Sequence, residues 1–244
     1  MDILITGTSS GLGKYLLRKI PSEKYNRNFP NSFENKKFDL IIHAACGMPK
    51  LNECFDDYHL YQKKILDNLL KLSFEKFIFI SSIEASEVNS TFSDYALNKI
   101  KLEKTIIKNL SNFLIIRPTL LLGPDMRFNQ ILKIATKSKS KLSLSPESSF
   151  NLIYYSDILP FLKGEFSGVI NLMSKNNVTL GEVAKYFDSS PNWGKYKYVT
   201  PIPSEINSYV SNSKGITINS IDRFSKFISI KGWNNKLSFD TYFC

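Results

Sequence analysis

Short apolar runs alternate with longer stretches of helical spacing through the first half of the chain. Asp2–Thr6, Phe38–Ala45, Phe77–Ser81 and Phe113–Ile116 are each too short for a buried helix and read as buried strands. Between them, Lys14–Ile20 has helical spacing and stops at Pro21. Residues 56–72 place Ile65, Leu69, Leu70 and Leu72 on one face, and Tyr95–Leu110 is a helix with Lys and Glu on its wet side. Residues 21–37 are polar and irregular, with room for one short strand near Lys24–Arg27. Beyond Gly123-Pro124 the spacing predicts a helix over Phe128–Lys137, a strand over Gly168–Leu172, and a helix opened by a capping box from Thr179 to Glu182 with Leu180, Val183, Ala184 and Phe187 as its apolar stripe. The last fifty residues read as loop and tail with a short helix near Ile221–Phe227. Strands alternating with helices predict an α/β fold of parallel βαβ units.

Composition narrows the class. Of 244 residues, 43% are hydrophobic, enough for a sizeable core, and no run reaches the roughly 18 apolar residues of a membrane span. The first seven residues lack a basic n-region and run straight into glycines, unlike a signal peptide. The expectation is a cytoplasmic chain without a membrane partner. Cys46, Cys54 and Cys244 match no zinc or disulfide framework, and with only His43 and His59 a histidine metal site is not expected. The net charge of +10 comes from scattered lysines, with a local cluster at Lys133–Lys141 and no nucleic-acid motif, so a solvated surface is expected in place of a nucleic-acid face.

Candidate chemistry begins after the first strand. Thr6-Gly7-Thr8-Ser9-Ser10-Gly11-Leu12-Gly13 joins a strand to a helix, as a phosphate-binding turn must. Gly7 suits the tight turn, Gly11 a close approach to a pyrophosphate, and Gly13 close packing of helix on strand. The helix N-terminus offers free N–H groups, and Ser9 and Ser10 add hydroxyls. The spacing alone also fits an ordinary strand–helix connection; its flanking elements favour a dinucleotide. About twenty residues on, where an acidic residue would bind the ribose of NAD, the chain holds Glu23, Lys24 and Arg27. The basic pair leans towards the 2′-phosphate of NADP, with an ordinary surface pair as the alternative.

A second constellation is Tyr95-Ala-Leu-Asn-Lys99, whose Tyr and Lys share a helix face. Bringing a phenol from its usual pKa near 10 to neutrality takes roughly 4 kcal/mol of differential stabilisation. A nearby ammonium and an oxidised nicotinamide supply charge of the right sign. Tyr95 would then exchange a proton with a carbonyl or hydroxyl oxygen, and Lys99 would also hold the nicotinamide ribose. Thirteen residues before Tyr95, Ser82 ends a buried strand, where an open α/β sheet binds its ligands. Its hydroxyl could hold the substrate oxygen; a capping serine is the plainer reading.

Taken together, the glycine turn, Asp39-Leu-Ile-Ile-His43-Ala44-Ala45, Ser81-Ser82, Tyr95-x3-Lys99 and Arg117-Pro118-x4-Gly123-Pro124 resemble the short-chain dehydrogenase/reductase superfamily, and its extended branch, the NAD-dependent epimerase/dehydratase family. Phe150–Asp157 and Gly168–Leu172 resemble later strand segments of that branch. The match is good over residues 1–125, loose over 126–187 and hardly present beyond. The resemblance implies a Rossmann-like doubly wound parallel sheet with a small C-terminal substrate-binding part: a dinucleotide-binding core over 1–125 and a reduced substrate region over 126–244, of which about 150–187 returns to the core. It implies a Ser82–Tyr95–Lys99 triad and a nicotinamide cofactor, NAD(P), along Gly7–Gly13, Ala44, Ala45, Cys46 and Pro118–Leu120. It also implies a nucleotide-sugar substrate, of the kind used in making surface polysaccharides, and a homodimer through two helices per subunit.

Departures from the family pattern shape the expectation. Phe150 stands where many nucleotide-sugar enzymes carry an Arg against the diphosphate, and Ile83-Glu84 replaces the Asp-Glu pair of the 4,6-dehydratases. The Asn of the superfamily's catalytic set has only Gln62 and Asn68 as candidates, while Glu84 and Arg127 are candidates for substrate contact, the latter by chain position. The reading is an NAD(P)-dependent oxidoreductase acting on a sugar as a keto-reductase. A cofactor-retaining epimerase and a non-catalytic dinucleotide-binding subunit are the alternatives.

Overall fold

The computed structural model describes residues 1–203 and the backbone of 208–210, apart from residues 29, 34, 48, 50–51, 87–91 and 137–138. Its chain begins with strand β1 (Ile3–Ile5), buried on both faces, and passes into α1 (Gly11–Lys19), which starts three residues before the predicted helix because the glycine turn itself makes the first helical turn. The elements that follow are β2 (Glu23–Lys24), β3 (Lys37–His43), α2 (Phe55–Leu70), β4 (Ser73–Ile80), α3 (Asp94–Asn109), β5 (Phe113–Pro118) and β6 (Leu120–Leu122). Then come α4 (Gln130–Thr136), β7 (Ser149–Phe150), β8 (Leu152–Tyr154), α5 (Leu159–Lys163), β9 (Gly168–Met173), β10 (Val178–Thr179), α6 (Leu180–Tyr186) and β11 (Ser208–Val210).

Seven parallel strands form one sheet in the order β2-β1-β3-β4-β5-β9-β11. The period-2 alternation of strand side chains divides the interior into two cores. Ile3, Ile5, Leu40, Ile42, Ile78, Ile80, Leu114 and Ile116 face α1 and the later elements. Leu4, Ile41, Phe77, Phe79 and Ile115 face Leu66 and Leu69 of α2 and Leu102 and Ile106 of α3. Each fully buried side chain of this size contributes roughly 1.5–3 kcal/mol. Among the described residues no helix is long and apolar enough to cross a membrane.

Two strands depart from the expectation. The strand near Lys24–Arg27 is the two-residue β2, one position earlier than predicted, and Arg27 lies beyond it. The segment 208–210, read as loop, is the edge strand β11 beside β9. Two or three residues carry no period of their own, so both strands exist through pairing with a formed sheet edge. The expected helix near Ile221–Phe227 lies outside the described residues.

The chain leaves β1 through α1 to β2 on one side, then returns to β3 on the other, so the connections change direction at β1. Ligands of such sheets bind at that switch point, beyond the carboxyl ends of the strands. The loops that end there are Thr6–Ser10, Ala44–Gly47, Ser81–Ala85 and Thr119. Later elements flank it: β6 pairs with β8, β7 with β10, and residues 192–199 run beside 141–149. The predicted capping box is present, with Thr179 Oγ1 accepting from Glu182 N and the Glu182 carboxylate accepting from Thr179 N.

Candidate active site

The glycine turn owes its shape to two close approaches. Gly7 adopts φ 72°, and a Cβ there would stand 2.9 Å from the backbone of Ala44 and Ala45. The loops after β1 and β3 are therefore in contact, and Thr6 fastens them: its Oγ1 accepts from Ala45 N at 3.1 Å and pairs with His43 Nδ1 at 2.8 Å. A Cβ on Gly13 would run into the Thr6 and Gly7 carbonyls, so glycine is what lets α1 lie on its strand. Ser10 is the N-cap of α1 but makes no capping hydrogen bond; it and Ser9 face solvent, and Leu12 is buried. Gly11, at φ 55°, donates its amide to Asp125 O at 2.8 Å. Burial works against the Asp125 carboxylate, but Lys14 (3.0 Å) and Arg18 (2.9 Å) outweigh it and hold its pKa below the usual range.

An anion at the N-terminus of α1 would meet the uncommitted Ser10 cap and the exposed Ser9 and Ser10 hydroxyls, while the Gly11 amide is already engaged by Asp125 O and Tyr155 Oη stands close to Gly11. At the end of β2, Glu23 is engaged with Lys36, and Arg27 reaches the Tyr61 hydroxyl at 2.8 Å on the exposed surface.

Helix α3 carries the second constellation. Its N-cap Ser93 accepts from Ala96 N at 3.2 Å, which fixes the first turn and with it the direction of Tyr95. One turn on, Lys99 is 2% exposed. Its ammonium donates to Ile80 O at 2.6 Å and sits 4.5 Å from the Phe79 ring centre. Burial pushes its pKa below the usual lysine range, against the pull of Cys46 and Glu103. Lys99 Nζ lies 5.6 Å from the centre of the Tyr95 ring, and no hydrogen bond from the Tyr95 hydroxyl to Lys99 or Ser82 is present among the described residues.

The expectation that Lys99 lowers the Tyr95 pKa is corrected here. The phenol is pushed well up, first by burial, then by Cys46 and Glu84, with Arg127 opposing; the Lys99 ammonium donates to Ile80 O. Ser82 is half-buried and its Oγ accepts from Glu84 N at 3.3 Å, capping the 3-10 turn Ile83–Ala85 at the mouth of the crevice. Glu84 accepts from the Tyr198 hydroxyl at 3.2 Å, and Tyr198 packs on Phe150 at 4.9 Å between ring centres.

The remaining predicted positions lie on the walls of the same crevice or at its edge. Ala44, Ala45 and Cys46 follow β3; Pro118 ends β5 buried, and Leu120 opens β6 half-buried. Arg127 is exposed, close enough for its charge to act on Tyr95, Lys99 and Tyr155. Arg27 stands apart, at the far edge of the sheet. Among the described residues no group of His, Cys, Asp and Glu could hold a metal ion.

Three residues of the site escaped the sequence reading. Asn98 is fully buried; its Nδ2 donates to Cys46 Sγ at 3.3 Å and to the Tyr58 hydroxyl at 3.4 Å, while its Oδ1 accepts from His59 Nδ1 at 2.8 Å. It sits in the buried stripe that holds Ala96, Lys99, Leu102 and Ile106, so the spacing that marked Lys99 marked it too. Of the two residues considered for an Asn role, Gln62 is buried on α2 near Gly47 and Asn68 lies nearly two turns further along the same helix. Tyr58 donates to Gly47 O at 2.6 Å and holds the loop after β3. His43, fully buried, stacks on Phe79 and leaves Nε2 without a partner among the described residues; burial, then Lys99, push its pKa down to about 3, so the imidazole is neutral.

No protein-family profile and no curated protein matches the chain. Solved structures do. UDP-N-acetylglucosamine 4-epimerase from Bacillus cereus superposes with a TM-score of 0.70 at 15% identity, over 94% of this chain and 96% of the other. UDP-glucuronic acid 4-epimerase from Bacillus cereus, in complex with NAD, gives 0.68 at 14% over 94% and 97%. Helicobacter pylori ADP-L-glycero-D-manno-heptose-6-epimerase gives 0.70 at 14% over 93% and 96%. At these identities the likeness is one of fold: the chain has the Rossmann-like α/β fold of these epimerases.

Proposed function

We propose that the chain is an NAD(P)-dependent oxidoreductase of the extended short-chain dehydrogenase/reductase type, acting on a nucleotide-linked sugar as a keto-reductase. The observation that carries this reading is the placement of Tyr95 and Lys99 in the crevice at the switch point, beside a glycine turn shaped for a diphosphate. Ser9, Ser10, Leu12 and Gly13 would hold the diphosphate, and Lys99 with Ala44–Cys46 and Pro118–Leu120 the nicotinamide end. When bound, the nicotinamide supplies hydride transfer. Tyr95 would supply the proton to the carbonyl oxygen as it becomes a hydroxyl, its phenol being neutral at pH 7. Ser82 orients that oxygen, and Arg127 at the rim suits an anionic group of the substrate.

One feature favours NADPH: just beyond β2 the chain offers Arg27, which would suit a 2′-phosphate. An epimerase that retains NAD is the second reading, favoured by the activities of the similar structures and by the NAD in one of them. In that cycle Tyr95 must also accept a proton, which requires added positive charge near the phenol.

The test is Tyr95→Phe, assayed for NADPH consumption with a 4-keto nucleotide sugar and for dinucleotide affinity. The expected result is a fall in turnover of about 10²–10⁴-fold with affinity unchanged. Turnover within about twofold of the unaltered protein would remove Tyr95 from the reaction.

A further inference from the structure

The loop after β3 is gripped at two places. On the side of the glycine turn, Ala45 N donates to Thr6 Oγ1 at 3.1 Å, and the backbone of Ala44 and Ala45 lies against Gly7. On the side of α3 the grip is Asn98, the residue before Lys99, whose side chain is fully buried. His59 Nδ1 donates to its Oδ1 at 2.8 Å, while Nδ2 donates to Cys46 Sγ at 3.3 Å and to the Tyr58 hydroxyl at 3.4 Å. Turning the amide over would set Oδ1 against the Tyr58 oxygen, whose proton is already given to Gly47 O at 2.6 Å. Cys46 and Gly47 are thus fastened to α2 and α3 through one side chain and its tyrosine partner. Leucine would fill the same space without taking an amide out of water. A buried amide is costly unless its hydrogen bonds are made, and those of Asn98 run to α2 and to the loop that borders the crevice.

We propose that Asn98 is a positioning residue: it holds the loop after β3 against α3, and the held loop, together with Lys99, receives the nicotinamide end of the dinucleotide. The ligand's part in this rests on the function proposed above; the anchoring of the loop does not. Asn98 acts through Cys46 and Tyr58 and, being fully buried, meets neither substrate nor cofactor. The two grips act on different ends of the ligand. Loss of Asn98 frees the α3 side of the loop, where the nicotinamide end would lie. Thr6 and Gly7 still hold the other side, next to the turn that would face the diphosphate.

The test compares Asn98→Leu and Tyr58→Phe with the unaltered full-length protein, with NADPH and ADP as probes in calorimetric titrations. ADP carries the diphosphate without the nicotinamide. Both variants are expected to bind NADPH about tenfold more weakly, and ADP within about twofold of the unaltered protein. A parallel fall for the two probes, or an unchanged affinity for NADPH, would overturn the ligand's part. Without ligand, amide hydrogen exchange over residues 44–47 should quicken by about tenfold in either variant, with residues 8–13 unchanged. Exchange at 44–47 as slow as in the unaltered protein would overturn the anchoring. Tyr58→Phe keeps the ring and serves if Asn98→Leu fails to fold. An unaltered protein that does not bind NADPH would overturn the proposed function and the ligand's part with it, and the exchange rates then decide the anchoring alone.

Discussion

His43 stacks on Phe79 within reach of the Lys99 charge, and its neutrality makes stability depend on pH. Its ordinary pKa is near 6.5 and the folded value about 3. Between these the unfolded chain binds a proton that the folded chain does not, so the contribution is complete above about pH 6.5 and lost as the pH falls towards 3. For a fully buried group the full loss is roughly 5 kcal/mol. His43→Asn is therefore expected to narrow the drop in denaturation midpoint between pH 7.5 and 4.5, and parallel curves for the two proteins would contradict a neutral buried His43. At this scale the sequence revealed residue types better than their partners. Tyr95 and Lys99 were legible from helical spacing, and Gly7 and Gly13 from their place between strand and helix. The attachment of Asn98 to Cys46 was not, because it depends on where the loop after β3 turns, and Thr6, Tyr58 and Gly47 set that turn through contacts distant in sequence.

Among the elements, α3 does the most to join scaffold and site. Its Glu103, 2% exposed, receives Arg117 of β5 through Nε at 3.1 Å and Nη2 at 2.6 Å, and Ser81 from the end of β4 donates to the same carboxylate. The helix that carries Tyr95 and Lys99 is thereby locked to the two strands whose ends frame the crevice. Glu103→Leu leaves Arg117 largely buried and unpaired and is expected to cost about 3 kcal/mol, read as a shift in urea midpoint. Glu103→Leu combined with Arg117→Leu should recover most of that loss; a double variant as unstable as the single one would show that packing, not charge, holds the junction. Long elements such as α2, α3 and β4 were legible because their apolar stripes repeat over several turns or pleats. The strands β2 and β11 were not, since their two and three residues take their conformation from the neighbouring strand.

For the whole molecule, the reversal of connections at β1 places every element of the proposed chemistry at one end of one sheet. The alternation of strand and helix made the parallel sheet legible, while the position of the switch depended on β2, the element with the weakest signal. The central claim is that this switch point binds a nicotinamide dinucleotide, and the most direct measurement is a titration of the purified protein with NAD(H) and NADP(H), followed by thermal denaturation. Either dinucleotide should raise the melting temperature with concentration, reaching about 2.7 kcal/mol of stabilisation at a hundred times the dissociation constant. NADPH should bind more tightly than NADH, and Ser10→Asp, which sets a carboxylate at the exposed N-terminus of α1, should weaken the shift while leaving the protein folded. A folded protein whose melting temperature moves with none of the four would contradict the dinucleotide site and leave the fold without the proposed chemistry.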